Sequence, residues 1–306
     1  MDKLRALKYF ANLAITLNFS ATADHFRVPS SSVSRRIKDL EQELGATLFE
    51  RTTRSVRLTD LGKLYLREVT SALQSIEMAD QLVGAQSQSP TGMLRITAMP
   101  GYGERFVLPA LERLRSLYEN IDFDVNFTDQ VVNLAGNDVD IAIRAASTLP
   151  DQVVARRLAD HEFMLVASPD YFAQNGAPIT SDDLKDHPVF MYRAPYGVVD
   201  WLTFRNGVWT AIELKPKYIS NHGKLLLDSV IAGRGIAFLP NWSVAKDIAA
   251  GKLRVLELED GPLSVSGNTK TGLYLLYHPP KFQLQKIRVA VDFLVQELGS
   301  DPSMLG

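Results

Sequence analysis

The residues whose chemistry is most readable lie on one polar face of a short helix near the N terminus. Its apolar stripe recurs every three or four residues and consists of Val33, Ile37, Leu40 and Leu44. With that stripe turned inward, the outward positions are Ser31, Ser32, Arg35 and Lys38. Serine hydroxyls can bind either kind of base edge and arginine can bind guanine through two N–H groups, so this face suits DNA reading. The alternative is a polar face that only contacts solvent.

Three helices must position that face, and the sequence marks their ends. We expect the first helix to end at Asn18 and Ser20 to cap a short second helix. Pro29 breaks the second helix, Ser30 should cap the third, and Gly45 should end it. A short helix, a tight turn and a third helix with a polar face place one helix in the major groove.

Two further elements follow the third helix. Residues 48–59 have two β-prone arms around a basic tip, which predicts a small hairpin. Apolar positions then recur at nearly 3.5-residue spacing, which predicts one long helix with a coiled-coil seam. The seam positions are Leu61, Tyr65, Val69, Ala72, Ile76, Ala79 and Val83. The alternative is a helix packed on its own domain. Residues 86–92 (QSQSPTG) predict a linker.

Composition limits the class of protein. The chain has 306 residues, 46% hydrophobic and 22% charged, which suits a globular protein of two or three domains. No apolar run approaches the roughly 20 residues that a bilayer requires, and residues 1–10 are too charged for a signal peptide. We therefore expect a cytoplasmic protein with no membrane partner. Residues 1–60 contain ten Lys/Arg against seven Asp/Glu, although the whole chain carries −2, which favours a nucleic-acid partner there.

The sequence contains no recognisable catalytic motif. It has no cysteine, which excludes disulfides, thiolate metal sites and thiol redox switches. Its five histidines are scattered, and HExxH, GxSxG, GxxxxGK[ST] and complete GxGxxG motifs are missing. We predict no enzyme activity, no cofactor and no metal site. A DNA architectural protein without a ligand is the other alternative, but it leaves more than 200 residues without a role.

Strand and helix patterns alternate from residue 94 onward, starting with a strand at 94–97 and a helix at 107–118. Such alternation predicts α/β layers with a mostly parallel sheet. The length of this region, about 210 residues, suits two lobes better than one.

Residues 20–59 resemble the helix-turn-helix signature of LysR-type transcription regulators nearly position for position. The matching residues are Ala21, Ala23, Ser34, Arg35, Ile37, Leu40, Glu41, Leu48, Phe49, Glu50, Arg51, Leu58, Thr59 and, just beyond, Gly62. The resemblance implies a winged helix-turn-helix in which Arg54 at the wing tip enters the minor groove or lies on phosphate. Arg51, Arg57 and Lys63 would make phosphate or packing contacts, and an ion pair is the other role open to Arg51. The expected DNA-binding residues are Ser31, Ser32, Ser34, Arg35, Lys38, Arg51 and Arg54.

The resemblance continues more loosely to about residue 298 and implies a two-lobed α/β effector domain similar to type 2 periplasmic binding proteins. Its landmarks are the strand at 94–97, LPALERLRSL (108–117), DVDIAIR (138–144), LPDQVVARRLA (149–159) and AGRGIAFLP (232–240). The implied domains are a winged helix-turn-helix at 1–59, a dimerising linker helix at 60–88 and an effector domain at 89–306. Lobe I would comprise 93–162 and 269–306, and lobe II 163–268. Two crossovers would form a hinge that a ligand in the cleft biases.

The ligand cleft of such a fold lies at the carboxyl ends of the strands. The expected effector-binding residues are Met99, Pro100, Gly101, Tyr102, Arg144, Ser220, Asn221 and His222. Backbone N–H groups in a loop near Gly101 could bind an anionic group that Arg144 neutralises. The alternatives are glycines that only form a turn and an Arg144 that forms an interlobe salt bridge.

The first-strand loop departs from the family pattern. Many members carry a Ser or Thr there for an effector carboxylate, whereas this chain has Met99, Pro100 and Gly101, which puts a carboxylate effector in question. Five aromatic residues would suit a partly apolar ligand or belong to the core. They are Tyr102, Tyr192, Tyr196, Trp201 and Phe204.

The resemblance also implies the partners. They are double-stranded DNA with an inverted-repeat operator, a small-molecule effector, and a second copy of the chain in a homodimer. A homotetramer is the next assembly expected from the family, and RNA polymerase is a further possible partner.

Overall fold

The computed structural model describes residues 2–51, 56–84, 89–136, 138–267 and 271–299. They divide into two units, one of residues 1–87 with 136–138 and the other of residues 88–135 with 139–306. The first unit contains three helices, a hairpin and a long helix. In chain order these are α1 (Lys3–Thr16), α2 (Phe19–Phe26), α3 (Ser30–Leu44), β1 (Phe49–Arg51), β2 (Val56–Leu58) and α4 (Asp60–Gly84).

The apolar stripes of these helices meet in one core. The stripe predicted for α3 is confirmed, because Val33, Ile37 and Leu40 are fully buried. Phe10 of α1 lies with its ring 5.4 Å from the ring of Phe49 on β1. Burying such a side chain contributes roughly 1.5–3 kcal/mol, so this core fixes the orientation of α3.

Two of the expected helix caps are wrong. Asn18 does not end α1; it caps α2, because its side-chain oxygen accepts hydrogen bonds from the N–H groups of Ser20 (2.9 Å) and Ala21 (3.1 Å). The N-cap of α3 is Pro29, which makes no side-chain bond, and Ser30 is the first helical residue. Asn18 therefore satisfies the free N–H groups at the start of α2, a role that the sequence analysis gave to Ser20.

Two glycines near the hairpin are required by the backbone. Gly45 ends α3 as predicted, with φ of +62°, a conformation that favours glycine. Gly62 lies in the first turn of α4, where a Cβ atom would stand 2.2 Å from the carbonyl oxygen of Leu48. The start of α4 is therefore in direct backbone contact with the hairpin.

The single long helix is confirmed as α4, but its apolar residues divide between two faces. Val69 and Leu73 are buried in the core of the first unit, and Tyr65 packs against it. The seam prediction is therefore wrong for Tyr65 and Val69, which pack on their own domain. Among the α4 side chains that the structure describes, the exposed apolar ones are Leu61, Leu64, Ala72, Ile76 and Ala79. The side chain of Val83 lies outside the described part.

The second unit alternates strands and helices, as predicted. Its strands are β3 (Gly92–Ala98), β4 (Ile121–Phe127), β5 (Ile141–Ala146), β6 (Val154–Asp160), β7 (Phe163–Ala167), β8 (Val189–Ala194), β9 (Gly197–Val198), β10 (Leu202–Arg205), β11 (Val208–Ala211), β12 (Tyr218–Ser220), β13 (Ile236–Pro240), β14 (Arg254–Val255), β15 (Leu263–Ser264) and β16 (Gly272–Tyr277). Its helices are α5 (Pro100–Tyr102), α6 (Leu108–Leu117), α7 (Pro169–Asn175), α8 (Gly223–Ile231), α9 (Asn241–Ala249) and α10 (Gln285–Leu298).

A five-stranded sheet forms lobe I, and a six-stranded sheet is the main sheet of lobe II. The sheet of lobe I has the order β4-β3-β5-β16-β6, and α10 contacts β3, β6 and α6. The main sheet of lobe II has the order β12-β8-β13-β7-β14 and encloses its own apolar core, while β9 pairs with β8. A separate three-stranded sheet, β11-β10-β15, completes lobe II.

The prediction of a mostly parallel sheet is wrong, because the main sheets of both lobes are mixed. In lobe I, β3 runs parallel to β4 and β5, whereas β16 runs antiparallel to β5 and β6. Lobe II repeats this arrangement, with β8 parallel to β12 and β13, and β7 antiparallel to β13 and β14. The parallel strands of each lobe nevertheless place their carboxyl ends along one edge, which is where α/β folds bind ligands.

Candidate functional site

Helix α3 presents its polar face away from the core of the first unit. Ser31, Arg35 and Lys38 are exposed, and Ser32 and Ser34 are half-buried. The opposite side of α3 packs against α1 and α2. Hydroxyl and guanidinium groups on successive turns of one exposed helix face can reach base edges in a major groove.

The wing is an antiparallel hairpin, as predicted, and β1 pairs with β2 in register over three residues. Arg54 belongs to residues 52–55 and lies outside the described part. Arg57 on β2 is exposed. Lys63 contacts Asp60 at 2.9 Å, with both side chains exposed, and such a pair adds little stability.

Glu41 of α3 ties the wing to that helix. Its Oε1 accepts hydrogen bonds from the N–H groups of Leu48 (2.8 Å) and Phe49 (3.0 Å), and its Oε2 accepts one from Nη2 of Arg51 (2.7 Å). The Arg51 guanidinium also lies 5.0 Å from the centre of the Phe19 ring. Of the roles that the sequence left open for Arg51, this geometry supports the ion pair.

In lobe I, the parallel strands end in a polar cluster. Thr97 lies near the end of β3, Asp129 just beyond β4, and Arg144 on β5. Arg144 donates from Nη2 to the Thr97 hydroxyl (2.8 Å) and to the carbonyl oxygen of Gln130 (3.4 Å), and from Nη1 to its neighbour's carbonyl at Ile143 (2.9 Å). Burial lowers the pKa of Arg144, and the charge of Asp129 opposes that shift. These partners hold the guanidinium within lobe I.

One hydrogen bond joins this cluster to lobe II. Tyr192 on β8 donates from its hydroxyl to Oδ2 of Asp129 at 2.5 Å. Burial, together with the Asp129 carboxylate, raises the pKa of the Tyr192 hydroxyl, so it stays a donor. The sequence reading missed Thr97 and Asp129. Their signal was a polar residue at or just after the end of a predicted strand.

The prediction of a loop around Gly101 is wrong. A helix starts at Pro100 directly after β3 and continues through a π-helical turn, Gly103–Val107, into α6. Gly101 and Tyr102 therefore contribute N–H groups to the first turn of a helix, where anions bind readily. The Tyr102 side chain is buried, and a Cβ at Gly103 would lie 2.5 Å from the Phe127 ring, so Gly103 serves packing.

Trp242 of α9 connects the lobes near the crossovers. Its ring lies 5.4 Å from Tyr102 and 6.2 Å from Phe106, both of lobe I, and its Nε1 donates to Nδ1 of His161 at 3.0 Å. His161 lies between β6 and β7. Its backbone N–H donates to the carbonyl oxygen of Thr271, next to β16 (2.8 Å). The two chain crossings are thus bonded to each other. Burial lowers the pKa of His161 to about 4, which keeps Nδ1 an acceptor.

The remaining expected effector residues lie between β12 and α8. The sheet register places Ser220 opposite Tyr192. The Ser220 hydroxyl accepts a hydrogen bond from the N–H of His222 (3.0 Å), and the Asn221 and His222 side chains are exposed. Ser220 is therefore brought beside the interlobe bond, while Asn221 and His222 lie in the turn after it.

The five aromatic residues proposed for the cleft separate into different environments. Tyr102 and Tyr192 make the interlobe contacts described above. Trp201 is buried in the core of lobe II. Tyr196 and Phe204 are exposed, the latter on the three-stranded sheet.

Within the described residues, no helix is long and apolar enough to cross a membrane. The same residues contain no group of three or more His, Asp or Glu side chains that could hold a metal ion.

Two family models match the chain. Residues 4–63 match the bacterial regulatory helix-turn-helix protein model of the lysR family, and residues 87–299 match the LysR substrate binding domain. The HTH-type transcriptional regulator DmlR of Escherichia coli (strain K12) is 33% identical over 298 residues, covering 96% of this chain and 94% of DmlR. The HTH-type transcriptional regulator CrgA of Neisseria meningitidis serogroup C (strain 8013) is 30% identical over 296 residues, covering 96% and 97%.

Solved structures agree with these matches. CrgA from Neisseria meningitidis, a LysR-type transcriptional regulator, superposes with a TM-score of 0.61 at 29% identity, covering 97% of this chain and 99% of CrgA. The full-length Vibrio cholerae virulence activator AphB shares the fold, with a TM-score of 0.61 at 20% identity and coverage of 96% and 99%.

A winged helix-turn-helix followed by a two-lobed effector domain defines a DNA-binding transcription regulator that a small molecule controls. The chain belongs to the LysR family of these regulators. Its relatives are regulators and not enzymes.

The Glu41 carboxylate generates the first prediction. Glu41→Ala leaves the N–H groups of Leu48 and Phe49 without their acceptor, and we expect the free energy of unfolding of the first unit to fall by about 2–3 kcal/mol. Hydrogen exchange of peptides from residues 30–58 measures this loss. Arg57→Ala, on the exposed side of the wing, is the control and should leave exchange unchanged. Unaltered exchange in Glu41→Ala would show that the carboxylate does not hold the wing.

His161 generates a prediction about pH. The folded domain keeps His161 neutral down to about pH 4, whereas the unfolded chain takes up a proton below pH 6.5. The free energy of unfolding is therefore unaffected by His161 above pH 6.5. Between pH 6.5 and about pH 4 it falls by roughly 1.4 kcal/mol per pH unit, because only the unfolded chain takes up the proton. Denaturation followed by tryptophan fluorescence measures it, since all three tryptophans lie in the second unit.

His161→Gln should reduce the loss of stability between pH 6.5 and pH 5 by about 2 kcal/mol. His222→Gln, at an exposed position of the same unit, should leave the pH dependence as it is in the wild type. Identical pH dependence in wild type and His161→Gln would refute the assignment.

Proposed function

We propose that α3 reads an operator sequence in the major groove. The exposed face formed by Ser31, Arg35 and Lys38 carries this proposal, because it lies opposite the core that fixes the helix. Arg35 would bind guanine, because its guanidinium group can donate hydrogen bonds to O6 and N7 of the base at the same time. Ser32 and Ser34 would make short-range contacts beside it.

We propose further that the wing contacts the DNA backbone. Arg54 and Arg57 would bind phosphate or the minor groove, contacts that position the protein without specifying sequence. Arg51 would act indirectly, by holding the wing against α3 through Glu41.

We infer that α4 joins two copies of the chain. Its exposed apolar residues, from Leu61 to Ala79, lack a covering surface within the first unit, and a single helix cannot bury such a stripe alone. A twofold dimer would present two reading helices to an inverted-repeat operator. Pairing of such dimers into a tetramer and contact with RNA polymerase are further parts of the proposal, as is a cytoplasmic location.

The proposed domain limits are 1–59, 60–88 and 89–306, with lobe I at 93–162 and 269–306 and lobe II at 163–268. We propose that the effector binds between these lobes at the carboxyl ends of the parallel strands. Its contacts would come from Met99, Pro100, Gly101, Tyr102, Arg144, Ser220, Asn221 and His222. The Arg144 guanidinium and the first-turn N–H groups near Gly101 would bind its negative group.

The reading role of α3 is tested with an operator selected from random-sequence DNA. Arg35→Ala should lose about 1–3 kcal/mol of discrimination at one operator position. Arg54→Ala should instead weaken binding to all sequences by a similar factor. Mobility shifts on single-base operator variants measure both. Full selectivity in Arg35→Ala would remove that residue from base reading.

The dimer role of α4 is tested by light scattering. Ile76→Asp would place a carboxylate in the proposed seam, where its desolvation costs several kcal/mol, so the variant should be monomeric at micromolar concentration. Arg67→Ala, on another side of α4, should stay dimeric. A dimeric Ile76→Asp that still binds operator would contradict the assignment.

A further inference from the structure

Three ionisable side chains from both lobes meet at the carboxyl ends of the parallel strands. Asp129 follows β4, Arg144 is the β5 residue directly after the last one paired with β3, and Tyr192 comes from β8 of the other lobe. Tyr192 donates to Asp129 at 2.5 Å, and Arg144 bonds the backbone of Gln130, the residue next to Asp129. A negative and a positive group therefore stand side by side in the region between the lobes.

The charges of this cluster restrict what can enter it. A ligand with only negative groups would bind Arg144 but bring like charge toward Asp129. A purely cationic ligand would bind Asp129 but bring its positive charge toward the Arg144 guanidinium. Because these groups are partly desolvated, such repulsion is weakly screened. A ligand carrying both charges, close together, satisfies both protein groups.

The interlobe bond also defines what the ligand must replace. The Tyr192 hydroxyl is a neutral donor to a charged acceptor, whereas an ammonium group is a charged donor and forms a stronger bond with a carboxylate. A ligand ammonium can therefore displace Tyr192 from Asp129. That exchange removes the hydrogen bond joining β8 of lobe II to lobe I, so binding changes the balance between lobe arrangements.

We propose that the effector is a small zwitterion of the amino-acid class, whose ammonium group takes the place of the Tyr192 hydroxyl at Asp129 and whose carboxylate lies against Arg144. This inference rests on the proposed interlobe effector site. It makes Asp129 the residue that selects for an amine, and Tyr192 the group that competes with the ligand.

The test is calorimetry on the full-length protein with matched probes. They are each common L-amino acid, the carboxylic acid that lacks its amine, and the amine that lacks its carboxylate. At least one amino acid should bind, and both of its analogues should bind about 10- to 150-fold more weakly, as expected for the loss of one charge-assisted contact.

Substitutions locate the selectivity. Asp129→Asn, which keeps an acceptor for Tyr192, should weaken the amino acid by about 10- to 150-fold without weakening the amine-free acid. Tyr192→Phe should tighten amino-acid binding, because the competing donor is gone. Asp122→Asn, on the exposed side of β4, is the matched control and should bind as the wild type does.

Three results would overturn the inference. They are no binding by any amino acid, amino-acid binding that Asp129→Asn leaves intact, and an amine-free acid that binds as tightly as its amino acid. Operator binding separates this from a failure of the proposed function. If another class of small molecule alters operator affinity, the proposed regulatory function is supported and only the amino-acid class of the effector is wrong. If no operator can be selected, the proposed DNA-reading function is refuted.

Discussion

The contact of Trp242 with lobe I constrains how the two lobes lie relative to each other. The chain passes between the lobes at two places, and these are held together by the backbone bond between His161 and Thr271. Trp242 lies at this junction, with its ring against Tyr102 and Phe106 and its N–H on His161. A packed aromatic contact therefore joins lobe II to lobe I at this junction.

The cleft and the reading helix depend on the same physical device. In each, one carboxylate accepts hydrogen bonds from a different structural element. Glu41 of α3 accepts from Leu48, Phe49 and Arg51 at the wing, and Asp129 of lobe I accepts from Tyr192 of lobe II. A charged acceptor makes strong bonds and is costly to leave unpaired, so each carboxylate fixes a relative position that apolar packing alone would leave adjustable. For Glu41 the result is a first wing strand held against α3. For Asp129 it is a bond that a better donor can replace.

The sequence predicted the elements well where the signal was local. The buried stripe of α3, the hairpin, the long helix α4 and the helix end at Gly45 follow from side-chain periodicity and turn chemistry. The cap at Asn18 was missed because neighbouring polar residues compete for the same N–H groups, and that at Pro29 because its side chain makes no capping bond. The divided faces of α4 were missed because periodicity does not show which apolar residues their own domain buries.

The site was only partly predictable, because its decisive contacts join residues far apart in the chain. Arg144 was identified from its place after a strand, whereas the bond from Tyr192 to Asp129 spans 63 residues and that from Trp242 to His161 spans 81. Mixed sheets arise for the same reason, since β16 returns to lobe I after the whole of lobe II and enters antiparallel. Such pairings depend on the three-dimensional path of the chain.

The central claim is that the lobe arrangement and operator binding are linked, and linkage must act in both directions. Because the chain has no cysteine, Ser116→Cys in lobe I and Gln174→Cys in lobe II create one pair of exposed labelling sites per chain, and mixing with excess unlabelled protein leaves one labelled chain in each dimer. Pulsed electron paramagnetic resonance then measures the distance distribution between two spin labels. The account predicts that selected operator DNA shifts this distribution and that random DNA does not. Identical distributions with and without operator would contradict it.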